Sequence, residues 1–315
     1  MARRKVIAIV GATGAQGGGL ARAILASDGQ FKARALTRKP DSDAAKRLET
    51  MGAEVVQADL DDVDSLVAAF DGVDGAFCLT NFWEHLSAEK EKAQAENLAE
   101  AAKRAGVEHV IWSTFSDTRA HLPIDDERMP VLQGEYNVPH FDAKGEAHQY
   151  FTDRGVPTTF LATSFYWENL ILSGAGPKRA PDGVLVLAMP LGDAKLPGIA
   201  VEDIGRIALG VFERGPEYVG KTVGIAGEHL TGAEMAEQLT EALGEEVRYL
   251  AMSADDYRAL GFPGADEMGN MFQFKRDFNE LYVGERDLEE CRRLHPQLLD
   301  FRSWLAQNAN RIPLD

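Results

Sequence analysis

Two ionisable side chains four residues apart, His140 and Lys144, lie in the segment "NVPHFDAKGE" (Asn137–Glu146). Residues at this spacing share one face of a helix. A tyrosine in the first position would make half of a hydride-transfer site, because the lysine charge lowers the pKa of the phenol, which then moves a proton. With a histidine there, the imidazole is either a general acid or a polar helix-start residue that faces solvent or backbone. Lys144 is either a cofactor ligand or a solvated helix lysine.

A second candidate site is the segment "VGATGAQGGG", in which Gly11, Gly14 and Gly17 recur at three-residue spacing between an apolar strand and a helix. Gly11 permits a tight turn, Gly14 lets the backbone approach a pyrophosphate, and Gly17 lets the helix pack closely on the sheet. The helix N terminus adds N–H groups and a partial positive charge. The segment therefore predicts a dinucleotide phosphate site. The alternative is a glycine-rich turn that binds no ligand.

The residues after the next two strands predict which dinucleotide binds. Arg38 and Lys39 stand about twenty residues beyond Gly17, where an NAD site carries an acid for the ribose hydroxyls. A guanidinium binds a 2′-phosphate through two hydrogen bonds, so this turn favours NADP(H) over NAD(H), unless it is only a solvated basic turn. Asp59 and Leu60 would border the adenine. The alternative for Asp59 is the N-cap of the following helix.

Strands and helices alternate through the first half of the chain, which predicts an α/β fold: a doubly wound parallel (Rossmann) sheet with a smaller C-terminal α/β domain. We place the NADP-binding domain at residues 1–165, completed by strands from the C-terminal half, and the substrate- or partner-binding domain at 166–315. Predicted strands cover residues 5–10, 32–37, 53–60, 73–80, 108–114 and 157–165. Predicted helices cover residues 15–27, 42–52, 62–72, 87–105, 141–155, 201–213 and 231–244, whereas 262–278 shows no clean period.

Composition restricts the possible partners. The net charge of −17 opposes binding to phosphate backbones, so we expect no direct nucleic-acid contact. No apolar run reaches about 18 residues, so we expect no membrane span. Two cysteines, Cys78 and Cys291, cannot build a disulfide framework, which favours the reducing cytoplasm. Cys78 is predicted to be a core residue and Cys291 could be exposed, while the histidines show no metal-site spacing.

The segments "GATGAQGG", "TRKP", "VVQADLDD", "LTNFWE", "VPHFDAKGE" and "FYWENL" occur in this order. Together they resemble the NmrA-like proteins, a branch of the atypical short-chain dehydrogenase/reductases, and most closely the redox-sensor subgroup. The segments "LGFPGADEMGNMF" and "YVGKTVGIAGE" extend the resemblance over nearly the whole chain. The resemblance implies bound NADP(H) and a small C-terminal domain that forms a cleft over the nicotinamide.

Carried over position by position, the resemblance assigns cofactor contacts along the chain. The pyrophosphate would contact Gly11, Ala12, Thr13, Gly14, Ala15, Gln16 and Gly17. The adenosine end would contact Arg38 at the 2′-phosphate, with Asp59 and Leu60 beside the adenine. The nicotinamide ribose would contact Thr80, Asn81, Phe82 and Lys144, and the nicotinamide itself Tyr166, Trp167, Glu168 and Asn169.

The resemblance and the missing tyrosine predict an NADP(H)-binding sensor or regulator with little dehydrogenase activity, and we assign no catalytic residue. The alternative is an NADPH-dependent reductase of quinones or other small carbonyl compounds, because solvent can supply the protons. The partner is accordingly a regulatory protein or a small quinone or carbonyl substrate, and the protein a monomer or homodimer. A DNA-binding regulator is disfavoured by the acidic charge.

Overall fold

The computed structural model describes residues 3–27 and 29–314, which form two compact units. Unit 1 comprises residues up to 117 together with 140–163 and 202–223; unit 2 comprises 118–139, 164–201 and residues from 224 onward. One crossing between the units falls between Thr163 and Ser164, close to residue 165. Residues 118–139 belong to unit 2 and residues 202–223 to unit 1, so the chain crosses between the units at more than one point.

The strands of the described residues are β1 (Lys5–Ile9), β2 (Phe31–Thr37), β3 (Glu54–Gln57), β4 (Gly75–Cys78), β5 (His109–Thr114), β6 (Thr158–Ala162), β7 (Phe165–Tyr166), β8 (Lys178–Arg179), β9 (Leu185–Met189), β10 (Lys195–Ile199), β11 (Thr222–Gly224), β12 (Glu228–Thr231) and β13 (Val247–Ala251).

The helices are α1 (Ala15–Ala26), α2 (Asp43–Thr50), α3 (Val63–Phe70), α4 (Phe82–His85), α5 (Ala88–Ala105), α6 (Pro139–Glu146), α7 (His148–Asp153), α8 (Asn169–Leu172), α9 (Val201–Arg214), α10 (Gly232–Leu243), α11 (Ala254–Arg258), α12 (Ala265–Asp277), α13 (Asn279–Gly284), α14 (Leu288–Leu294) and α15 (Phe301–Asn308). No helix of the described residues is long and apolar enough to cross a bilayer.

Unit 1 is built on a seven-stranded sheet of order β11-β6-β5-β4-β1-β2-β3, with parallel pairing from β6 through to β3. The chain runs outward from β1 to β3, returns to β4 beside β1, and then runs outward in the other direction. This order confirms the doubly wound fold, and β11 completes the sheet from the C-terminal half. The carboxyl ends of β1 and β4 flank the switch point at which such sheets bind ligands.

The centre of this sheet is buried on both faces. Every residue of β4 and β5 is buried, and the Trp112 side chain of β5 packs on Phe151 of α7 with ring centroids 5.3 Å apart. Fully burying an aliphatic or aromatic side chain is worth about 1.5–3 kcal/mol. Such burial fixes the strand ends, and with them the loops that follow.

Helix α5 has the limits that its sequence predicts. Ser87 Oγ accepts a hydrogen bond from the N–H of Lys90, and Gly106 ends the helix in the left-handed conformation with φ 69°. A serine cap satisfies one of the N–H groups that the first turn leaves over, and glycine adopts this conformation without a Cβ clash. The predicted helix at 201–213 corresponds to α9 and that at 231–244 to α10, which Thr231 caps.

Two predicted elements are each divided in the structure. The single helix at 141–155 is two helices, α6 and α7, which meet at Ala147. The strand at 157–165 is also two elements, since β6 joins the large sheet and β7 a three-stranded sheet of unit 2. The segment without a clean period contains α12, in which nine of 13 residues are buried. A helix buried on more than one face shows no amphipathic stripe, which explains the missing period.

Unit 2 is the smaller α/β region, with two three-stranded sheets of order β12-β10-β7 and β13-β9-β8. One end of its core is aromatic: Trp167, Phe301 and Trp304 pack with centroid separations of 5.4–6.1 Å. Glu168 ties the same region together, because its carboxylate accepts hydrogen bonds from the indole of Trp304 and the backbone N–H of Val201.

The N-cap of α3 is Asp62 rather than Asp59, since Asp62 accepts from the backbone N–H groups of Asp64 and Ser65. We therefore expect Asp62→Ala to lower the free energy of unfolding by about 1 kcal/mol. Asp59→Ala should lower it by less than half as much, because the Asp59 carboxylate accepts a hydrogen bond from the exposed N–H of Asp61 and caps no helix among the described residues. Urea unfolding followed by circular dichroism measures both. A larger loss in Asp59→Ala would contradict this assignment of the cap.

Candidate functional site

The glycine-rich loop after β1 has the form that a pyrophosphate requires. Gly11 takes φ +64°, and its carbonyl accepts the N–H of Gly14 at 2.8 Å to close the turn. A Cβ on Gly17 would lie 2.6 Å from two carbonyl oxygens of the loop, so glycine is needed for this close approach. Among the described residues, no side chain caps α1 and no acid occupies its first turn. The cap and first turn of α1 therefore supply no anion to the partial positive charge of this helix end.

Three residues of the loop are accessible to solvent. Thr13, Gly14 and Ala15 are exposed, whereas Ala12 is buried. Gln16 is fixed to the end of β5, because its Oε1 accepts a hydrogen bond from Ser113 Oγ at 2.8 Å. The loop and the end of β5 are thus joined by a side-chain contact. Ser113 serves to position the loop in this structure.

Arg38, at the end of β2, is exposed but paired. Its guanidinium lies 2.6 Å from the carboxylate of Glu84 on α4, and the two side chains are 58% and 47% exposed. Both the 2′-phosphate contact and the solvated basic turn stay predictions for Arg38, and Lys39 is likewise exposed. Glu84 is thus an anion beside Arg38, where the 2′-phosphate is predicted to bind. No pattern in the sequence indicates this residue.

Asp59 and Leu60 follow β3 and are both partly buried. Leu60 packs on the core of unit 1, and its carbonyl accepts from the Asn97 amide at 2.8 Å. The neighbouring Asp61 binds Lys90 at 2.9 Å and the Gln94 amide. Hydrogen bonds from Gln94 and Lys90 lower the pKa of Asp61, and the charge of Arg38 adds to this effect. The adenosine side of the loop thus has cations and carboxylates close together.

Lys144 is buried and fully hydrogen-bonded. Its side chain is 8% exposed, and Nζ donates to the Thr80 carbonyl at 3.0 Å, to Thr80 Oγ1 at 2.7 Å and to Glu91 Oε1 at 2.5 Å. An ammonium has three N–H donors, and these contacts use all three. The alternative of a solvated helix lysine is wrong. A ribose hydroxyl could bind Lys144 only by displacing one of these acceptors.

Glu91 of α5 supplies the counter-charge and is completely buried. Burial alone would raise the pKa of Glu91, but the charge of Lys144, the contact with His85 and the hydrogen bonds from Lys144 and Thr80 lower it to about 2. The sequence did contain a signal for this residue. Glu91 continues the apolar stripe of α5 formed by Ala88, Ala95, Leu98 and Ala102, so a carboxylate there must face the interior.

His85 lies beside the same carboxylate. Its Nδ1 accepts the backbone N–H of Ser87 at 3.1 Å, so in the neutral ring the proton sits on Nε2. That nitrogen lies 3.4 Å from Glu91 Oε2, but the two atoms are not aligned for a hydrogen bond. The contact is therefore electrostatic. It brings the end of α4 against the buried ion pair.

His140 is buried, at 4% exposure, among aromatic rings. Its ring centroid lies 4.6–5.7 Å from the rings of Phe82, Trp83, Phe115 and Phe141. The alternative for His140 was a helix-start residue that faces solvent or backbone, and its solvent-facing form is wrong, because the first turn of α6 packs into this cluster. Thr80, Asn81 and Phe82 lead into α4, where Asn81 is exposed and Phe82 buried.

Tyr166, Trp167, Glu168 and Asn169 belong to unit 2. Tyr166 ends β7 and is partly exposed, whereas Trp167 is 1% exposed in the aromatic core. Glu168 makes the two hydrogen bonds described above, and Asn169 opens α8, where its carbonyl accepts the N–H of Ser173. All four therefore contribute to the internal structure of unit 2. Their predicted contacts with the nicotinamide stay predictions.

Neither cysteine is accessible. Cys78 is buried in β4 as predicted, and burial raises the pKa of its thiol strongly. Cys291 is also 0% exposed, so the suggestion that it could be exposed is wrong, and burial raises its pKa to about 11. The described residues include no group of three histidine, cysteine or acidic side chains that could hold a metal ion.

The chain is similar to proteins of known sequence and structure over nearly its full length. The profile of the NmrA-like family matches residues 3–305. The NmrA-like family domain-containing oxidoreductase FrzB of Cladobotryum is 29% identical, covering 90% of this chain and 88% of FrzB. The oxidoreductase notA′ of Aspergillus versicolor is 31% identical, with coverages of 82% and 74%.

Two solved structures share the fold. NmrA, a negative transcriptional regulator in complex with NADP, superposes with a TM-score of 0.80 at 24% identity, covering 98% of this chain and 96% of that one. The NADPH-dependent quinone oxidoreductase QOR2 of Escherichia coli, complexed with NADPH, gives 0.75 at 23% identity, with coverages of 96% and 98%. At these identities the likeness concerns the fold alone.

The buried pair predicts an asymmetry between single and double variants. Lys144→Met leaves the Glu91 carboxylate buried without a counter-charge and should cost about 3–5 kcal/mol of unfolding free energy. The double variant Lys144→Met/Glu91→Gln buries no charge and should recover at least half of that loss. Lys92→Met is the control, since Lys92 pairs with Glu146 near the surface and should cost about 1 kcal/mol or less. Additive losses in the double variant would contradict the pairing.

The same pair predicts an acid-sensitive contribution to stability. The folded pKa of Glu91, about 2, lies below the ordinary value of 4.5, so its contribution is complete above about pH 4.5 and is lost as the pH falls towards 2. The stability difference between wild type and Glu91→Gln should therefore shrink by roughly 3 kcal/mol across this interval. Urea titrations at pH 6, 4.5, 3.5 and 2.5 test it. A constant difference would show that folding does not lower the pKa of Glu91.

Proposed function

The chain belongs to the NmrA-like family, and from this premise we propose that it is an NADP(H)-binding sensor or regulator with little dehydrogenase activity. One observation carries the proposal. The lysine that would activate a tyrosine in a hydride-transfer site has all three donors engaged by Thr80 and Glu91, and the position four residues before it holds His140. The loop geometry is compatible with a dinucleotide, whereas position 140 has no tyrosine for the usual acid–base pair.

The cofactor fits the geometry of unit 1. The loop from Gly11 to Gly17 offers an accessible backbone and an uncapped helix end to the pyrophosphate. Arg38 would bind the 2′-phosphate, and Asp59 and Leu60 would border the adenine. The complexes of NmrA with NADP and of QOR2 with NADPH support this choice of cofactor.

The nicotinamide end would be bounded by Thr80, Asn81 and Phe82, with Tyr166, Trp167, Glu168 and Asn169 retained as predicted contacts. Lys144 would act there mainly through Thr80, whose carbonyl and hydroxyl it holds. When bound, NADPH supplies a hydride, and an acceptor that gains a proton in the same step needs a positioned acid. A lysine neutralised by Glu91 lowers the pKa of a neighbouring phenol little, and no tyrosine stands at position 140.

The second candidate is an NADPH-dependent reductase of quinones or other small carbonyl compounds. The curated relatives FrzB and notA′ are named oxidoreductases, which favours this reading. A quinone-like acceptor can take a hydride while solvent supplies the protons, so the missing tyrosine does not prevent the reaction. For either function, a cytoplasmic location and a monomeric or homodimeric state stay predictions from the sequence.

We expect wild-type protein to bind NADPH more tightly than NADH, and Arg38→Ala to lose that preference. Losing a charge-assisted contact costs roughly 1.5–3 kcal/mol, which corresponds to about ten- to a hundredfold in affinity. Lys39→Ala is the control, because Lys39 is an exposed cation one residue away. Isothermal titration calorimetry with both cofactors measures the ratio. Equal affinities in wild type, or an unchanged ratio in Arg38→Ala, would overturn the assignment.

The two candidate functions separate in an activity assay. A sensor should oxidise NADPH at close to the background rate with a panel of quinones and carbonyl compounds. His140→Phe keeps the ring in the aromatic cluster but cannot transfer a proton, so any residual rate should change by less than about twofold. Positioned acids contribute about 10²–10⁴-fold. A hundredfold drop in His140→Phe would replace the sensor proposal with an altered active site.

A further inference from the structure

The pairing of Arg38 with Glu84 places a protein carboxylate where a cofactor phosphate is expected. The guanidinium and carboxylate are 2.6 Å apart, although both side chains are about half exposed and could be fully hydrated. An arginine fork binds a carboxylate or a phosphate with similar geometry. The two anions therefore compete for the same donor.

We propose that Glu84 is a specificity-determining residue: an internal competitor for Arg38 that narrows the preference between NADP(H) and NAD(H). The inference rests on the proposed function, since it concerns the cofactor that this site takes. It adds a residue that neither the glycine loop nor the basic turn indicates.

The position of Glu84 is set by the fold. Helix α4 has only four residues, yet it is held at three points. Phe82 is buried in the aromatic cluster, and His85 lies against Glu91. Leu86, directly after α4, takes the left-handed conformation with φ 54°, which is unusual for a non-glycine residue and persists only where surrounding contacts impose it. Glu84 is therefore presented to Arg38 by a constrained segment.

The charges nearby strengthen the competition. Asp61, whose pKa the Arg38 charge helps to lower, is a second carboxylate within electrostatic range, and Lys90 partly offsets it. A 2′-phosphate that approaches Arg38 must displace Glu84 and then remain close to its charge. The ribose of NAD(H) carries a hydroxyl at the same position, which can donate a hydrogen bond to a carboxylate. Glu84 thus weakens the binding of NADP(H) and does not oppose the binding of NAD(H).

The test measures NADPH and NADH affinities by calorimetry for wild type, Glu84→Gln, Arg38→Ala and the double variant. Glu84→Gln should tighten NADPH binding by about three- to tenfold, which is the scale of an exposed ion pair plus the relief of repulsion. The affinity for NADH should change by less than about twofold or become weaker. Because competition requires Arg38, most of the gain should vanish in the Arg38→Ala background. Glu89→Gln is the control, because Glu89 is exposed on α5 and its substitution removes the same charge nearby.

The outcomes separate the inference from the function on which it rests. If wild type binds NADPH and Glu84→Gln leaves the NADPH-to-NADH ratio unchanged, the inference is overturned while the proposed function stands. An equal gain in Glu89→Gln, or a full gain without Arg38, would also overturn it, because either result points to general charge rather than competition. If wild type binds neither cofactor, the proposed function fails and the inference fails with it.

Discussion

A lysine ammonium removed from water must find three acceptors and a counter-charge, and the site of unit 1 is organised around meeting that requirement for Lys144. Thr80 provides two acceptors and Glu91 provides the third together with the charge. Removing a charged group from water without such partners costs several kcal/mol. The three residues come from the end of β4, from α5 and from α6, so satisfying one ammonium fixes three elements relative to one another within this unit.

That constraint has a functional consequence. A lysine whose charge is balanced inside the protein stabilises the segment that follows β4, which carries Asn81, Phe82 and Glu84 near the switch point. It is correspondingly less available to activate a proton donor. In the proposed function, the same buried pair supports cofactor binding and takes no part in acid–base chemistry. At the other end of this short segment, Glu84 meets Arg38, so one helix links the region predicted for the nicotinamide ribose to the region predicted for the 2′-phosphate.

The sequence was sufficient for the features that depend on local chemistry. The turn at Gly11, the close packing at Gly17 and the cap and stop of α5 all follow from what glycine and serine can do in a backbone. The fold class and the form of the glycine loop could therefore be predicted from the sequence. Tyr166 to Asn169 could be assigned only by resemblance, and the structure gives Trp167 and Glu168 roles inside unit 2.

What sequence reasoning missed depends on tertiary contacts. Glu91 is one of many acids in an 18-residue helix, and only its place on the apolar stripe marks it as buried. His140 was expected to face solvent or backbone at the helix start, but its ring packs against Phe82 and Trp83 of α4, against Phe115 and against its neighbour Phe141. The pairing of Arg38 with Glu84 joins residues 46 positions apart, and neither residue has a pattern that reveals the other.

The most direct test of the account is a crystal structure of the protein with NADP⁺. The account predicts that the 2′-phosphate lies within hydrogen-bond distance of the Arg38 guanidinium, with the Glu84 carboxylate turned away from it. It also predicts that Lys144 Nζ stays on Glu91 and that the pyrophosphate lies on the loop from Gly11 to Gly17. A complex in which the Arg38–Glu84 pair is intact and the 2′-phosphate lies elsewhere would contradict it.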